Sequence, residues 1–494
     1  IWTRNQRKHH GKGINCRRET MHQKTTEFPE GFLWGASSSA FQIEGGWNLG
    51  GKGMTVADFN SFKRSHIQAD TKVASDFYHH WKEDIDYMAE LGLKMYRFSI
   101  AWARIIPDGD GAVHEEGIKF YDRIIDCLLS RGIQPFVTLY HFDLPYALAE
   151  KYNGWESRRC VLAFERYARI CFRAFGDRVK YWQVHNEQNL MVRVDERMNI
   201  DAADKWEADR LRAQMDYHMF LAHALAVKAC HELVSGGKIG PAVSSCCTYP
   251  ETPRPEDVWA AANNDWFKAE YCLDMHQYGR YPGYYRRYLK ERNIMPSAED
   301  GDEEILKWGA SDYIAVNYYR TLCVRYLPAD EIHPVGERCF PGNEVDFDQY
   351  GYFSHVKNPH LVSTEYGAQI DPMGLRIVLN RYYQKYRLPL LITENGLGAA
   401  DILTENGKVH DSYRIDYLRR HIQACRQALD DGVELMGYSP WSFMDLLSSH
   451  EGFRKRYGFL YVDRNEHETG SLKRIKKDSF HWYRRVIETN GATI

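Results

Sequence analysis

The segment 388–396 reads LPLLITENG, an apolar run that stops at a carboxylate, Glu394, and continues into an Asn-Gly turn. The segment 181–187 has the same form, since YWQVHN ends at Glu187. Short apolar runs rich in branched and aromatic residues are typical of buried strands. In parallel barrels the C-terminal ends of the strands surround the active site. The two segments therefore predict strands of one sheet that each deliver a glutamate to the same edge.

Six further runs of this kind alternate with amphipathic stretches along the chain. The eight predicted strands lie near residues 32–36, 94–100, 134–140, 181–185, 238–244, 313–317, 388–392 and 435–439. Predicted helices include 74–91, 117–131, 158–175, 215–231 and 413–431. Eight strand–helix units predict an α/β fold, a single-domain (β/α)8 TIM barrel over residues 28–491. Two long connections, 250–264 and 320–366, are expected to be functional lids or binding loops.

Composition narrows the class of protein. The formal net charge is −3, from 64 basic and 67 acidic residues, which argues against a nucleic-acid partner. No apolar run is long enough to span a membrane, and the eleven cysteines follow neither a disulfide nor a zinc pattern. A cytoplasmic enzyme with reduced thiols fits best. Residues 1–27 are polar and basic, and we expect an extension that is either disordered or expression-derived.

Glu187 and Glu394 are a candidate catalytic pair. Cleavage of a glycosidic bond typically uses two carboxyl groups, about 5–5.5 Å apart in a retaining enzyme, one protonated and the other ionised. A lone glutamate at a strand end is more often a helix cap or a surface ion pair, but a pair on the fourth and seventh strands favours catalysis. A second Thr-Glu-Asn-Gly string at 404–407 follows only two apolar residues, so we interpret Glu405 as a surface turn residue.

The motifs resemble glycoside hydrolase family 1, the β-glucosidase family, from about residue 28 to residue 491. The likeness rests on FPEGFLWGA (28–36), QIEG (42–45), RFSIAW (97–102), LYHFDLP (139–145), NE (186–187), NYY (317–319) and ITENG (392–396). The resemblance implies that Glu394 is the nucleophile and Glu187 the acid/base. It also implies three groups of supporting residues: Arg97 and Tyr319 beside Glu394, Asn186 on the sugar 2-hydroxyl, and Gln42, His141 and Trp441 around the glycone.

The structural alternatives are an ion pair inside the barrel for Arg97 and plain packing for His141 and Trp441. One departure from the family affects the acid/base. The family usually has an aromatic residue before Asn-Glu and often Pro after it, whereas this chain has His185 and Gln188. A protonated His185 would stabilise ionised Glu187 and weaken it as an acid, and a neutral His185 would not.

The segment after the eighth strand, SSHEGFRKRY (448–457), distinguishes branches of the family. Plain β-glucosidases have a Glu-Trp pair here, whereas the Ser…Lys-x-Tyr arrangement resembles the 6-phospho-β-glycosidase branch. A dianionic phosphate needs a cation and hydroxyl donors, so Ser448, Lys455 and Tyr457 are phosphate candidates, with Ser449 as an addition. The alternative is an ordinary basic surface turn, and Glu451 would count against a phosphate site if it faced the pocket.

Ser449 stands where phospho-galactosidases place Trp, which favours a gluco-configured sugar, and Phe142 in place of Trp also fits the phospho branch. The sequence thus predicts retaining hydrolysis of a small-molecule 6-phosphorylated β-glucoside, without metal or cofactor, in a bacterial cytoplasm. The alternatives are a plain β-glucosidase, a 6-phospho-β-galactosidase and a silent sugar-phosphate-binding protein. Homo-oligomerisation is left open.

Overall fold

Eight parallel strands close into a barrel in which every strand pairs with its neighbours in sequence and the first pairs with the eighth. The computed structural model describes residues 28–329, 351–449 and 451–494. The predicted extension, residues 1–27, lies outside the described residues. The barrel strands are Leu33–Ser37, Met95–Ser99, Gln134–Tyr140, Tyr181–Asn186, Lys238–Ser245, Ile314–Tyr318, Leu390–Asn395 and Leu435–Pro440. The predicted (β/α)8 barrel is confirmed.

Helices alternate with the barrel strands along the chain. The longer helices are Phe77–Leu91, Glu115–Ser130, Arg158–Phe175, Lys205–Leu233, Pro255–Asp265, Pro372–Tyr386, Ser412–Asp430 and Asp478–Glu488. The shorter ones are Ala40–Ile43, Val56–Lys63, Trp102–Ile105, Tyr146–Tyr152, Gln188–Met191, Asp195–Met198, Tyr271–Tyr278, Gly283–Glu291 and Asp302–Lys307, with a 3-10 turn at Gly154–Glu156 and a π-helical turn at Trp266–Glu270. No helix within the described ranges combines the length and the apolar character needed to cross a membrane.

The barrel interior changes from apolar to polar towards the mouth. The apolar layer consists of Met95, Phe136, Ala242, Tyr313, Ala315 and Leu391. Two residues further along four of these strands, on the same face, lie Arg97, Thr138, Asn317 and Thr393. Arg97 Nε donates to Thr138 Oγ1 at 2.8 Å, and Thr393 Oγ1 donates to Asn317 Oδ1 at 2.7 Å. A packed apolar floor therefore supports a hydrogen-bonded polar layer directly below the mouth.

The prediction for the first long connection was wrong. Residues 250–264 are not a binding loop: the strand Thr248–Pro250 leads into the helix Pro255–Asp265, which has Pro at its first position. Within 320–366, Leu322–Arg325 pairs antiparallel with Ser354–Val356, and residues 330–350 lie outside the described residues. The helix predicted at 215–231 begins earlier, at Lys205, because Asp204 caps a polar first turn that carries no apolar periodicity.

Candidate active site

A cavity of about 610 Å³ opens at the C-terminal mouth of the barrel. Eleven of the twelve residues predicted for the site line it: Gln42, His141, Asn186, Glu187, Tyr319, Glu394, Trp441, Ser448, Ser449, Lys455 and Tyr457. The twelfth, Arg97, is fully buried and contacts Glu394 from below. Strand ends thus bring together residues that are far apart in sequence, as expected for a barrel mouth.

Glu394 accepts two hydrogen bonds from opposite sides of its carboxylate. Arg97 Nη1 donates to Oε1 at 2.6 Å, and Tyr319 Oη donates to Oε2 at 2.7 Å. Burial, followed by the negative charge of Glu394, raises the pKa of Tyr319 well above its usual value, so the phenol keeps its proton and remains a donor. A guanidinium and a hydroxyl donor together stabilise negative charge on Glu394.

Glu187 occupies a different environment at the end of the fourth strand. Its backbone has φ 46° and ψ 48°, the left-handed region, and its N–H donates to the carbonyl of Ala242 at 2.9 Å. Asn317 Nδ2 donates to Glu187 Oε1 at 3.2 Å. Burial, followed by the negative charge of Glu394, raises the pKa of Glu187 to about 7. One carboxyl group of the pair is therefore available in the protonated form near neutral pH, as an acid requires.

Asn186 connects the two ends of the site. Its Oδ1 accepts from Arg97 Nη2 at 2.6 Å, and its side chain lies 3.2 Å from His141 Nε2. Burial holds the pKa of His141 well below its usual range, so the ring is neutral. Since Nε2 then accepts from the Asn186 amide, Nδ1 carries the proton, and within the described chain it has no hydrogen-bond partner.

The remaining predicted glycone residues form the wall beside His141. Trp441 stacks on the His141 ring, with centroids 5.8 Å apart and an interplanar angle of 15°. Gln42 is fixed at both ends of its amide, because Nε2 donates to the carbonyl of Leu447 at 2.8 Å and Oε1 accepts from Ser39 Oγ at 2.7 Å. A ring face and a fixed amide together suit a sugar, which has apolar C–H faces and hydroxyl edges.

His185 does not face the cavity. Its ring packs against Tyr140, Trp155 and Phe164 on the outer side of the fourth strand. Burial holds the pKa of His185 well below its usual range, so the ring is neutral. Its Nδ1 lies 3.3 Å from Gln188 Oε1, and Gln188 Nε2 donates to Asp216 Oδ1 at 2.7 Å. A neutral His185 does not weaken Glu187 as an acid. His185 and Gln188, the two departures from the family, contact each other behind Glu187.

The basic run 454–456 divides between three environments. Arg454 is exposed and lies 3.4 Å from the Glu451 carboxylate. Lys455 lines the cavity, with Nζ 4.8 Å from the ring centroid of Tyr366 and 5.6 Å from that of Tyr457, and it makes no ion pair with any residue that the structure describes. Arg456 points away and donates from Nη1 to Asp445 Oδ2 at 2.8 Å. The surface-turn alternative thus applies to Arg454 alone.

Three further observations concern the residues and loops that were predicted for the site. Glu451 also lines the cavity, although its carboxylate pairs with Arg454 at the rim. Glu405, in the second Thr-Glu-Asn-Gly string, lies in an exposed turn, as expected. Residues 250–264 contribute nothing to the cavity wall; the loop side of the wall comes instead from 244–246, Lys268, Arg320 and 364–368.

Sequence reasoning missed several polar residues of the site, among them Asn317 and Arg197. Asn317, which contacts both Asn186 and Glu187, was recognised only as part of a strand motif, although its place one strand from the nucleophile was a usable signal. Arg197 also lines the cavity, from the short helix Asp195–Met198. It belongs to no motif, and nothing in the sequence distinguishes it from the neighbouring arginines.

Comparison with known proteins agrees with this geometry. A family model described as glycosyl hydrolase family 1 matches residues 24–492. An aryl-phospho-β-D-glucosidase of Bacillus subtilis (strain 168) is 44% identical over 486 residues, covering 96% of this chain and 100% of the relative. A 6-phospho-β-glucosidase of Clostridium longisporum is 40% identical, with 94% and 98% covered. The structure of a family 1 β-glucosidase from Thermotoga maritima superposes with a TM-score of 0.84 at 35% identity, with 95% and 99% covered.

Proposed function

Because the chain belongs to glycosyl hydrolase family 1, we propose that it is a 6-phospho-β-glucosidase, which hydrolyses β-glucosides phosphorylated at the 6-position to glucose 6-phosphate and an aglycone or glucose. The observation that carries the proposal is Lys455, a cation without an ion-pair partner in the described chain, in the same cavity as both catalytic glutamates. Relatives named for phosphorylated glucosides at 40–44% identity support it.

In the first step, a Glu394 oxygen forms a bond to the anomeric carbon while the bond from that carbon to the leaving oxygen breaks. The leaving oxygen takes its proton from Glu187. Arg97 and Tyr319 each donate to one oxygen of Glu394 and so orient the carboxylate before attack. A buried carboxylate that accepts from two fixed donors is positioned for attack without further reorganisation.

In the second step, Glu187 acts as a base: it takes a proton from water, whose oxygen bonds to the anomeric carbon as the bond to Glu394 breaks. The change of role follows from the site's electrostatics. The negative charge of Glu394 is one of the causes that raise the pKa of Glu187. Esterification of Glu394 removes that charge, so the pKa of Glu187 falls and it ionises when a base is needed.

Ser448, Ser449, Lys455 and Tyr457 are proposed to bind the phosphate, with Asn186, Gln42, His141 and Trp441 around the sugar ring. A dianion in a partly desolvated site requires a cation and hydroxyl donors, which this wall supplies. A phosphorylated glucoside of this kind implies an importer that phosphorylates the sugar as it enters the cell. We therefore propose that the enzyme acts in a bacterial cytoplasm. The plain β-glucosidase alternative retains one supporting observation, the presence of Glu451 at the cavity wall.

The deciding experiment compares kcat/KM for 4-nitrophenyl β-glucoside and its 6-phosphate in the wild type and in Lys455→Ala. We expect a strong preference for the phosphate, reduced about 10- to 100-fold in Lys455→Ala, the range for a hydrogen bond to a charged group. Lys473→Ala, an exposed lysine outside the cavity, is the control. A wild-type preference for the plain glucoside would overturn the proposal, and faster hydrolysis of the β-galactoside 6-phosphate would redirect it to the galacto sugar.

A further inference from the structure

Arg197 stands at the junction of two cavities. Besides the main cavity, it lines an adjoining one of about 420 Å³. The residues common to both walls are Phe142, Arg197, Ser448, Ser449 and Glu451. Arg197 therefore shares a wall with the two serines that are proposed to bind phosphate. The serines follow the eighth barrel strand, whereas Arg197 follows the fourth, ten residues after Glu187.

The guanidinium of Arg197 lacks the partners that arginines usually have. Its Nη1 is buried, and it makes no hydrogen bond or ion pair with any described residue. It stacks over the Phe142 ring at 4.2 Å. Other arginines nearby are paired: Arg64, in the same adjoining cavity, pairs with Glu196, and Arg193 donates to the carbonyl of Phe267. A desolvated, unpaired cation is costly unless a ligand supplies the counter-charge.

The charge of Arg197 acts on the catalytic end of the cavity. It contributes to lowering the pKa of His141, and it opposes part of the rise in the pKa of Glu187. Burial lowers the pKa of Arg197 itself, but a guanidinium remains charged in proteins. The charge of Arg197 therefore reaches the catalytic end of the cavity.

We infer that Arg197 is a second cationic substrate-binding residue, which binds the phosphate of the substrate together with Ser448 and Ser449, in addition to Lys455. This inference rests on the proposed function. A planar guanidinium matches two phosphate oxygens at once, whereas Lys455 acts as a point charge. A second cation also adds to Arg454 in offsetting Glu451, whose carboxylate shares the wall. The contact with the Phe142 ring, 4.2 Å from Arg197 Cζ to the ring centroid, restricts the position of the guanidinium.

The test measures kcat and KM of Arg197→Gln on 4-nitrophenyl β-glucoside 6-phosphate and on the plain glucoside. We expect KM for the phosphate to rise about 10- to 100-fold, and kcat/KM for the plain glucoside to fall by a clearly smaller factor. Competitive inhibition by inorganic phosphate should weaken in parallel. Arg197→Lys keeps the charge but loses the planar guanidinium, so its KM for the phosphate should lie between those of the wild type and Arg197→Gln. Arg420→Gln removes the same charge from an exposed, paired arginine that lines neither cavity, and should leave the preference unchanged.

Equal losses on both substrates would overturn the inference and assign Arg197 to a sugar hydroxyl or to folding. Unchanged kinetics and unchanged phosphate inhibition would overturn it as well. Thermal unfolding of Arg197→Gln and Arg197→Lys shows whether each variant is folded. Only the kinetics of a folded variant are used to test the inference. A failure of the proposed function appears differently, as a wild type without preference for the phosphorylated substrate.

Discussion

Gly398 and Lys455 lie so close that a Cβ atom built on Gly398 would be 2.6 Å from Lys455 Cε. The same Cβ would be 2.8 Å from Tyr457 Cζ, and real Cβ contacts are not that short. Gly398 follows the nucleophile strand by a few residues, whereas Lys455 follows the eighth strand. A residue near Glu394 thus leaves the space in which the proposed phosphate-binding lysine lies, and the absence of a side chain there is a property of the site.

Replacement of Gly398 by Ala should displace Lys455 and lower kcat/KM for the 6-phosphorylated substrate about tenfold, with a smaller effect on the plain glucoside. Gly398→Val should have a larger effect in the same direction, because the added atoms meet Lys455 and Tyr457 directly. Steady-state kinetics on both substrates measure this. Gly283→Ala, where an added Cβ meets nothing within 4 Å, is the matched control. Equal behaviour of the two Ala variants would refute the steric argument.

Glu187→Gln should lower the rate about 10²- to 10⁴-fold on alkyl glucoside phosphates, since these leaving groups need a proton. The loss in the first step should be smaller for 4-nitrophenoxide, which leaves readily as an anion. Comparing the two leaving groups tests the role of Glu187 as an acid. Glu405→Gln, in the second Thr-Glu-Asn-Gly string, should be as active as the wild type, and any large loss there would mean that the nucleophile motif has been misplaced.

The pH profile of kcat/KM should fall on the alkaline side with a midpoint of about 7, because Glu187 has a pKa of about 7 and must be protonated to act as an acid. The negative charge of Glu394 contributes to that value, so the pKa of Glu187 should be lower in Glu394→Gln. Carbon-13 NMR of labelled glutamate would follow the titration. An unchanged pKa in that variant would contradict the electrostatic account of how Glu187 alternates between acid and base.

Asp445→Asn should destabilise the fold by about 3–5 kcal/mol, because it removes one partner of a buried charge network. Asp445 accepts from Arg456 at 2.8 Å and from Lys477 Nζ at 2.6 Å, and all three side chains are buried. Denaturant unfolding gives the free energy. The control is Asp416→Asn, which breaks an exposed pair with Arg420 at 2.8 Å and should cost less than about 1 kcal/mol. Similar losses for the two variants would rule out the network as a stabilising element.

The barrel was predictable because its strands are buried on both faces and read as short apolar runs between amphipathic helices. Helix ends were less so: the polar first turns after Lys205 have no periodicity, and the helix at Pro255–Asp265 was missed although Pro255, Glu256 and Asp257 form an ordinary helix start. The two glutamates could be located in the same way, because each stands at the C-terminal end of a predicted strand.

Other features depend on three-dimensional pairing and could not be read from the sequence. Lys455 and Arg456 are adjacent basic residues, and only packing shows that the first faces the cavity while the second is neutralised inside the protein. Arg197 is conspicuous because it lacks a partner, which is a property of the surroundings and not of the residue. The chemistry of His185 likewise follows from its burial among aromatic rings.

The alternation at residues 454–456 has a consequence for engineering. A designer who transplants segment 448–457 into a plain β-glucosidase, to retarget it to phosphorylated sugars, also transplants Arg456 into the interior. Without Asp445 in the recipient, and Lys477 balanced between Asp445 and Asp401, that arginine would arrive with no counter-ion. Segment 448–457 should therefore be transplanted together with Asp445 and Asp401. A graft of the segment alone would lower the amount of folded protein and so would not yield the intended specificity.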